Sequence, residues 1–503
     1  MRQTGVEMKH KILLLLGWAV GLMGLAGCAL IPAYSHVNTK QPGGRLTTQY
    51  QVQEVASASY LASYDVPWDL DPTCRNQVTV ALAPPQAPPV QPPALACPRT
   101  NRDFVGLAMS GGGSRAAVFS AAVLFELQRY GLLQQADVMS SVSGGSFAAA
   151  FYALSCDNPA NCPITVEGPP RFLWTPDAAF PLIERDFLLR WVGNVLWPKN
   201  LALTTFTYYN RTAVMAETLS DNLFDNSRLG GEGFRLHDLN PQRPSVILNA
   251  TDNTSSEEDG EEPNDANFGF TKERFDRLDS DLDQYPVASA VMASATFPGV
   301  FNYLTLRDYA QPSKRYIHLY DGGTSDNLGL AGVHKVLDVA SQHPQWGQAR
   351  KLVLLIDAYV PAQGRSGREP DPREGIDYLV DTNFLDAYDS LMSELRTRKI
   401  EQMKARLKRI HGDLYHLEFG KLNGMVGQPK AKATYDVVKT IPTSLRIECE
   451  QAQALREAAR LLVEDLAAQL RADPKYKDML LATPLKPLPH FDTCVQTADD
   501  QSQ

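Results

Sequence analysis

The chain has 503 residues, of which 44% are hydrophobic and 21% are charged. This composition is typical of a globular protein and excludes a disordered, fibrous or polytopic membrane protein. The net charge of -9 argues against nucleic acid as a partner, because binding to phosphates requires clustered positive charge. Contact with a membrane would therefore require a lipid anchor or an apolar surface.

The N-terminus has the pattern of a secretory signal. Basic residues precede an apolar run over 12–26, and its length of about 15 residues is shorter than the ~20 needed to span a bilayer. The run ends in Leu25-Ala26-Gly27-Cys28, which resembles the lipobox of bacterial lipoproteins. This resemblance implies that residues 1–27 are removed and that Cys28 is acylated. With Ala29 next, it also points to the outer membrane of the bacterial cell envelope. The alternative is an ordinary signal peptide that contains a cysteine.

The remaining six cysteines form an even set, which suits disulfide bonding in an oxidising compartment. Cys156 and Cys162 flank a turn-rich stretch and are the first candidates for a pair. Cys74 with Cys97, and Cys449 with Cys494, are guesses among fifteen pairings. A zinc site is the competing interpretation, but no Cys-x-x-Cys pair is present.

The chain divides by composition into four parts, the first of which is the signal at 1–27. Residues 28–100 end in a proline cluster and are predicted to form a membrane tether, since proline-rich segments are semi-rigid spacers. A domain is predicted over 101–475, with a core at 103–358 and a helical part at 359–475, and a tail covers 476–503. Residues 252–283 form an insertion with 12 Asp or Glu. It is interpreted as a solvated flexible loop, and calcium binding is the alternative although the EF-hand pattern is absent.

The elements alternate between strands and helices from residue 103 onward. An apolar strand at 104–109 leads through glycines to a helix at 116–133, and a strand at 137–142 leads through glycines to a helix at 147–154. Further strands are predicted at 245–249, 316–320 and 352–357, and long helices at 376–408 and 450–471. This order predicts an α/β fold with a mainly parallel sheet.

The segment Ser141-Val142-Ser143-Gly144-Gly145 places a serine between a strand and a helix. A nucleophile elbow needs this layout, because its tight turn admits only small neighbours and exposes the hydroxyl. Ser141 replaces the usual first glycine. Ser146 is a rival nucleophile, less favoured because it would lie inside the helix.

Gly111, Gly112 and Gly113 follow the first strand and are predicted to form an oxyanion hole. Consecutive glycines can direct several N–H groups at one point, and a helix N-terminus behind them adds its dipole. A phosphate-binding turn or a merely tight loop are the alternatives, although neither common nucleotide motif is fully present. Arg115 is assigned either to a lipid head group or to a structural role.

Asp321-Gly322-Gly323 follows the strand at 316–320, which suits a carboxylate base at a strand end. These three motifs, with Asn249-Ala250-Thr251-Asp252 and 293–301, resemble the patatin-like phospholipase family over about 103–358. The resemblance implies a three-layer α/β/α fold. The tether, which the resemblance does not cover, is predicted before this fold and the C-terminal helices after it. The resemblance also implies a Ser–Asp dyad, with Ser143 as nucleophile and Asp321 as base, and no metal or other cofactor. Ala116 departs from the family's last loop glycine.

The combined hypothesis is a membrane-anchored hydrolase of phospholipid or lysophospholipid esters. One alternative is a Ser-His-Asp α/β-hydrolase that uses a histidine after Asp321, namely His334, His343, His411, His416 or His490. Another is a non-catalytic lipoprotein that binds lipid or protein. The tryptophan-containing segment 172–208 is interpreted as core packing, with a lid or interfacial surface as its alternative. The sequence carries no signal for oligomeric state.

Overall fold

The computed structural model describes residues 38–41, 103–157, 172–224, 233–240, 243–252, 254, 266–311, 316–342, 349–360, 383–425 and 427–486. Cys28, Cys162 and most of the predicted tether therefore lie outside the described residues. No described helix is both long and apolar enough to cross a bilayer.

One eight-stranded sheet organises the described chain. Its strands are β1 (Phe104–Met109), β2 (Val138–Val142), β3 (Ser245–Asp252), β4 (Asn267–Gly269), β5 (Leu304–Arg307), β6 (Tyr316–Asp321), β7 (Lys351–Asp357) and β8 (Gly412–Glu418). The order is β5-β6-β3-β2-β1-β7-β8, and β4 pairs with β3. Five neighbouring strands of the sheet, β3-β2-β1-β7-β8, run parallel to one another. Strands β4 and β6 pair antiparallel with β3, and β5 pairs antiparallel with β6. The predicted mainly parallel sheet is confirmed.

Helices cover both faces of the sheet. They are α1 (Gly113–Arg129), α2 (Gly144–Leu154), α3 (Pro176–Ile183), α4 (Phe187–Leu196), α5 (Pro198–Phe206), α6 (Arg211–Asn222), α7 (Lys272–Arg277), α8 (Val287–Ser294), α9 (Gly323–Asp326), α10 (Leu330–Gln342), α11 (Asn383–Arg409), α12 (Gly420–Asn423), α13 (Pro429–Val438) and α14 (Cys449–Ala472).

Side chains of the central strands alternate between two hydrophobic cores. In β7, Leu354 and Ile356 join the core formed by α1, α2 and α14, whereas Val353 and Leu355 join the core formed by α10 and α11. Successive residues of a strand point to opposite faces, so both faces of this strand must be apolar. The arrangement is the expected three-layer α/β/α fold.

The sequence missed strands β4, β5 and β8. Strand β8 continues the sheet beyond β7 within a part expected to be helical. The interpretation of the acidic insertion as a flexible loop was wrong for residues 266–283, because they contain β4 and α7. Phe268, Phe270 and Phe275 are buried there. Phe270 and Phe275 pack on Tyr285, and Phe268 packs on Phe275.

A short piece of the predicted tether packs on the domain. The Asn38 amide donates to the Ser280 hydroxyl at 3.0 Å and to the Arg307 carbonyl at 2.8 Å, and its oxygen accepts the Arg307 N–H at 2.8 Å. The backbone of Lys40 forms an antiparallel β-bridge with that of Ser280, and the Lys40 ammonium lies 3.5 Å from the Asp279 carboxylate. Residues 38–41 are thus attached beside the end of β5.

Candidate active site

The turn between β2 and α2 holds Ser143 in a strained conformation. Its φ of 50° and ψ of -123° lie outside the regions that a non-glycine residue normally adopts. Ser143 is partly exposed at this turn, whereas Ser141 and Ser146 are fully buried. This is the geometry predicted for a nucleophile elbow.

The strained turn is supported from behind by Ser294, the last residue of α8. Its hydroxyl accepts the Ser143 N–H at 2.9 Å and donates to the Asn249 carbonyl at 2.6 Å. The Ser146 hydroxyl lies 3.0 Å from the hydroxyls of both Ser294 and Ser141. The rival nucleophile Ser146 is therefore enclosed in a hydroxyl network below the turn.

Asp321 ends β6 and reaches Ser143. Its carboxylate is hydrogen-bonded to the Ser143 side chain, and it accepts the Gly323 N–H at 2.7 Å. Burial raises the pKa of Asp321 to about 6, and the bonds from Gly323 and Ser143 partly oppose that rise. A carboxylate whose pKa is close to neutral can accept a proton from a serine hydroxyl more readily than an exposed one.

The glycine loop after β1 lies directly on the elbow. A Cβ at Gly144 would come within 2.0 Å of the Gly113 carbonyl, so the loop and the turn touch through their backbones. Gly113 has φ of 60°, and a Cβ there would meet the Ser444 carbonyl at 2.2 Å. Neither position can accept a larger residue without moving its neighbour.

The three loop glycines differ in their N–H groups. The Gly111 N–H donates to the Asn327 carbonyl at 3.0 Å, so it is already engaged. No acceptor for the N–H of Gly112 or Gly113 occurs among the described residues. Two of the three predicted donors therefore remain available at the head of α1, whose dipole adds to their effect.

Arg115 has the structural role rather than the head-group role. Its side chain is buried, and it donates to the Ala358 carbonyl at 2.8 Å, to the Ile441 carbonyl at 2.5 Å and to the Thr443 hydroxyl at 3.0 Å. The Ser114 N–H bonds the Ser444 carbonyl at 2.8 Å. Residues 441–444, which the sequence did not single out, thus fix the glycine loop from outside.

The described histidines do not complete a triad with Asp321. His416 lies 2.9 Å from Asp357, and His334 lies 3.3 Å from Asp338. Among the described residues, no histidine bonds Ser143 or Asp321. His343 and His490 lie outside them.

One described cluster has the composition of a metal site, formed by Asp357, His416 and Glu418. The guanidinium of Arg396 lies between these groups and donates at 2.7 Å to both Asp357 and Glu418. The Arg396 contact and the His416 bond lower the pKa of Asp357 against the effect of burial. The arginine already supplies the positive charge that a cation would bring.

Cys156 and Cys449 are both disulfide-bonded. Because Cys162 and Cys494 lie outside the described residues, the Cys156–Cys162 pair and the Cys449–Cys494 guess stay predictions.

Residues 107–334 match the family model "Patatin-like phospholipase". This part of the chain is a patatin-like phospholipase domain. It contains the glycine loop, Ser143 and Asp321. No curated protein matches the chain.

Solved structures show more distant similarity. Human GIVD cytosolic phospholipase A2 is 13% identical with a TM-score of 0.43, over 84% of this chain and 65% of the human one. VipD from Legionella pneumophila is 12% identical with a TM-score of 0.25, over 72% of this chain and 67% of that one. The chain spans less than two thirds of the human protein's length.

Proposed function

We propose that the chain is a membrane-anchored serine acyl hydrolase that cleaves carboxylic esters of phospholipids or lysophospholipids. The observation that carries the proposal is the contact between the accessible Ser143 hydroxyl and the buried Asp321 carboxylate, beside the N–H groups of Gly112 and Gly113. The match to the patatin-like phospholipase family supports a lipid ester as the substrate class.

In the first half of the reaction, the Ser143 oxygen attacks the ester carbonyl while its proton moves to Asp321. The carbonyl oxygen becomes an oxyanion, which accepts hydrogen bonds from Gly112 and Gly113. Collapse of this intermediate breaks the ester bond, and Asp321 returns the proton to the departing alcohol. The acyl group is then bound to Ser143.

Water completes the cycle. It attacks the acyl-enzyme and gives a proton to Asp321, and the tetrahedral intermediate uses the same two N–H groups. Its collapse releases the fatty acid, and the Ser143 oxygen recovers the proton from Asp321. Each cycle consumes one ester and one water and leaves the enzyme unchanged.

Anchoring through an acylated Cys28 belongs to the same proposal. It is supported by the lipobox-like sequence Leu25-Ala26-Gly27-Cys28. An acyl anchor would raise the local concentration of lipid around the site. Metabolic labelling with a radioactive fatty acid tests it, since label should enter the wild type and be absent from Cys28→Ser.

Fluorophosphonate labelling and fatty-acid release from vesicles test the chemistry. We expect Ser143→Ala to lose both and Asp321→Asn to lose most of both. Ser146→Ala is the matched control, because it removes a hydroxyl three residues away from the one we propose to react. A folded wild type that neither labels nor releases fatty acid would refute the hydrolase and favour a lipid-binding or protein-binding lipoprotein. If Ser146→Ala lost labelling while Ser143→Ala kept it, the nucleophile would be Ser146 rather than Ser143.

A further inference from the structure

The helices α4 and α5 carry an exposed apolar surface close to the catalytic residues. Its most exposed members are Leu189 at 64%, Leu196 at 65% and Trp197 at 64%. Leu188, Val192, Leu201 and Tyr208 extend it, and Val300 and Tyr303 of the segment before β5 are exposed as well. Large apolar side chains grouped in this way mark an interaction surface. We call these nine residues the α4–α5 surface.

The surface is continuous with the site. Phe187, at the start of α4, packs on Phe147 of α2 with their ring centroids 5.7 Å apart, and α2 is the helix that begins after Ser143. Trp191 of α4 packs at 5.1 Å on Phe301. The segment that contains Phe301 begins near Thr296, whose carbonyl accepts the Asp321 N–H at 3.1 Å. A molecule bound on this surface would thus lie beside both catalytic residues.

The charge of this region sets it apart from the rest of the chain. Residues 187–208 contain Arg190 and Lys199 but no Asp or Glu, although the chain has 57 acidic residues. Residues 296–306 contain no charged residue. Exposed Leu and Trp with basic residues at the edge are the composition of helices that lie in the interface of an anionic bilayer.

The attachment of residues 38–41 places the predicted anchor near this surface. Asn38 bonds the backbone of Arg307, which is four Cα–Cα steps, at most about 14 Å, from Tyr303. Nine residues lie between Cys28 and Asn38, so ten Cα–Cα steps give a reach of at most about 36 Å. An acylated Cys28 would hold the bilayer within reach of the α4–α5 surface.

We infer that the α4–α5 surface docks on the lipid bilayer and delivers substrate from it to Ser143. This inference rests on the proposed function, because it takes a membrane lipid as the substrate. The bilayer supplies what the surface lacks in the monomer, namely an apolar phase for the leucines and an interface for the tryptophan and tyrosines.

Gly193 offers a clean test, because it lies on α4 and a Cβ there would meet nothing within 4 Å. Gly193→Glu adds a negative charge at a position where the Cβ is unobstructed, and Gly193→Ala is the matched control. Leu189→Ser with Leu196→Ser removes apolar contact, and Val437→Ser with Leu485→Ser is a control at exposed apolar residues elsewhere. All are made in the chain from residue 29 onward, which retains every described residue and carries no acyl group.

Each variant is assayed on vesicles of phosphatidylcholine and phosphatidylglycerol and on dissolved p-nitrophenyl butyrate. We expect Gly193→Glu and the Leu189/Leu196 variant to lose about tenfold or more of kcat/KM on vesicles, while the soluble ester changes by less than about twofold. Both controls should keep both activities. Equal losses on the two substrates, or unchanged vesicle activity, would overturn the inference.

Cosedimentation with the same vesicles, measured in Ser143→Ala chains, separates docking from catalysis. Loss of binding in Gly193→Glu would support docking even if the wild type cleaved neither substrate, in which case the proposed function alone would fail. Sedimentation velocity tests the alternative that the α4–α5 surface binds a second copy of this chain. A wild-type dimer that the Leu189/Leu196 change converts to monomer, with vesicle binding unchanged, would assign the surface to self-association and overturn the inference.

Discussion

The pH dependence of the reaction follows from the burial of Asp321. With a pKa of about 6, the base is ionised and active above that pH. One unit below it, about one tenth of the molecules carry the carboxylate, so kcat/KM should fall about tenfold from its plateau by pH 5. The assay uses p-nitrophenyl butyrate, which has no group that titrates in this range. A profile that is flat down to pH 4.5 would refute Asp321 as the base.

The same shift predicts a pH-dependent cost in stability. Below about pH 4 both the folded and the unfolded chain hold the proton, and the cost is absent. As the pH rises toward 6, only the unfolded chain ionises, so the free energy of unfolding falls. The shift from 3.8 to about 6 corresponds to about 3 kcal/mol at neutral pH.

Asp321→Asn keeps the shape of the side chain without its charge. It should lose most of its activity yet be more stable than the wild type at pH 7, with the difference in stability shrinking toward pH 4. Denaturant unfolding at several pH values measures this difference. A variant that is less stable than the wild type by the same amount at every pH would contradict the role of charge burial.

Three further changes test the support of the site. Ser294→Ala removes the acceptor of the Ser143 N–H and the donor to the Asn249 carbonyl, so unfolding should become easier by about 1–3 kcal/mol and kcat should fall. Gly113→Ala forces the loop away from the Ser444 carbonyl, so kcat should fall by about tenfold or more while KM changes little. Arg115→Lys cannot reproduce three divergent hydrogen bonds and should lower kcat through the same loop, together with the melting temperature.

The first two of these changes have a control variant, and the third has an outcome that would contradict it. Ser294→Thr keeps the hydroxyl and should recover part of the activity that Ser294→Ala loses. Gly427→Ala also replaces a glycine with positive φ but meets nothing within 4 Å, so it should leave kcat unchanged. Unchanged kcat in Arg115→Lys at a temperature where the variant is folded would show that residues 441–444 do not position the loop.

The sequence predicted what depends on neighbours in the chain. The two strand–glycine–helix units were recognised because the apolar run, the glycines and the helical pattern are adjacent. The structure brings Ser143 and Asp321 together because β2 and β6 both flank β3. The order of the motifs implied this pairing only through the resemblance to a known family.

What the sequence missed depends on contacts between distant residues. The partners of Arg115 lie 243 to 328 positions away, so nothing local distinguished a structural arginine from a lipid-binding one. Ser294 lies 151 positions from Ser143. The alternation of aromatic residues at Phe268 and Phe270 was a usable signal for β4, but the surrounding acidic residues outweighed it.

The two unfavourable features of the site are connected. The strained backbone of Ser143 exposes the hydroxyl, and the buried carboxylate of Asp321 is raised in pKa until it can accept that proton. Neither state would persist alone, because the turn would relax and the aspartate would draw in water. Ser294 holds the turn and the Gly323 N–H holds the carboxylate in place. In the proposed mechanism, two residues would therefore do the work for which a triad employs a histidine, provided that the layers around them stay rigid.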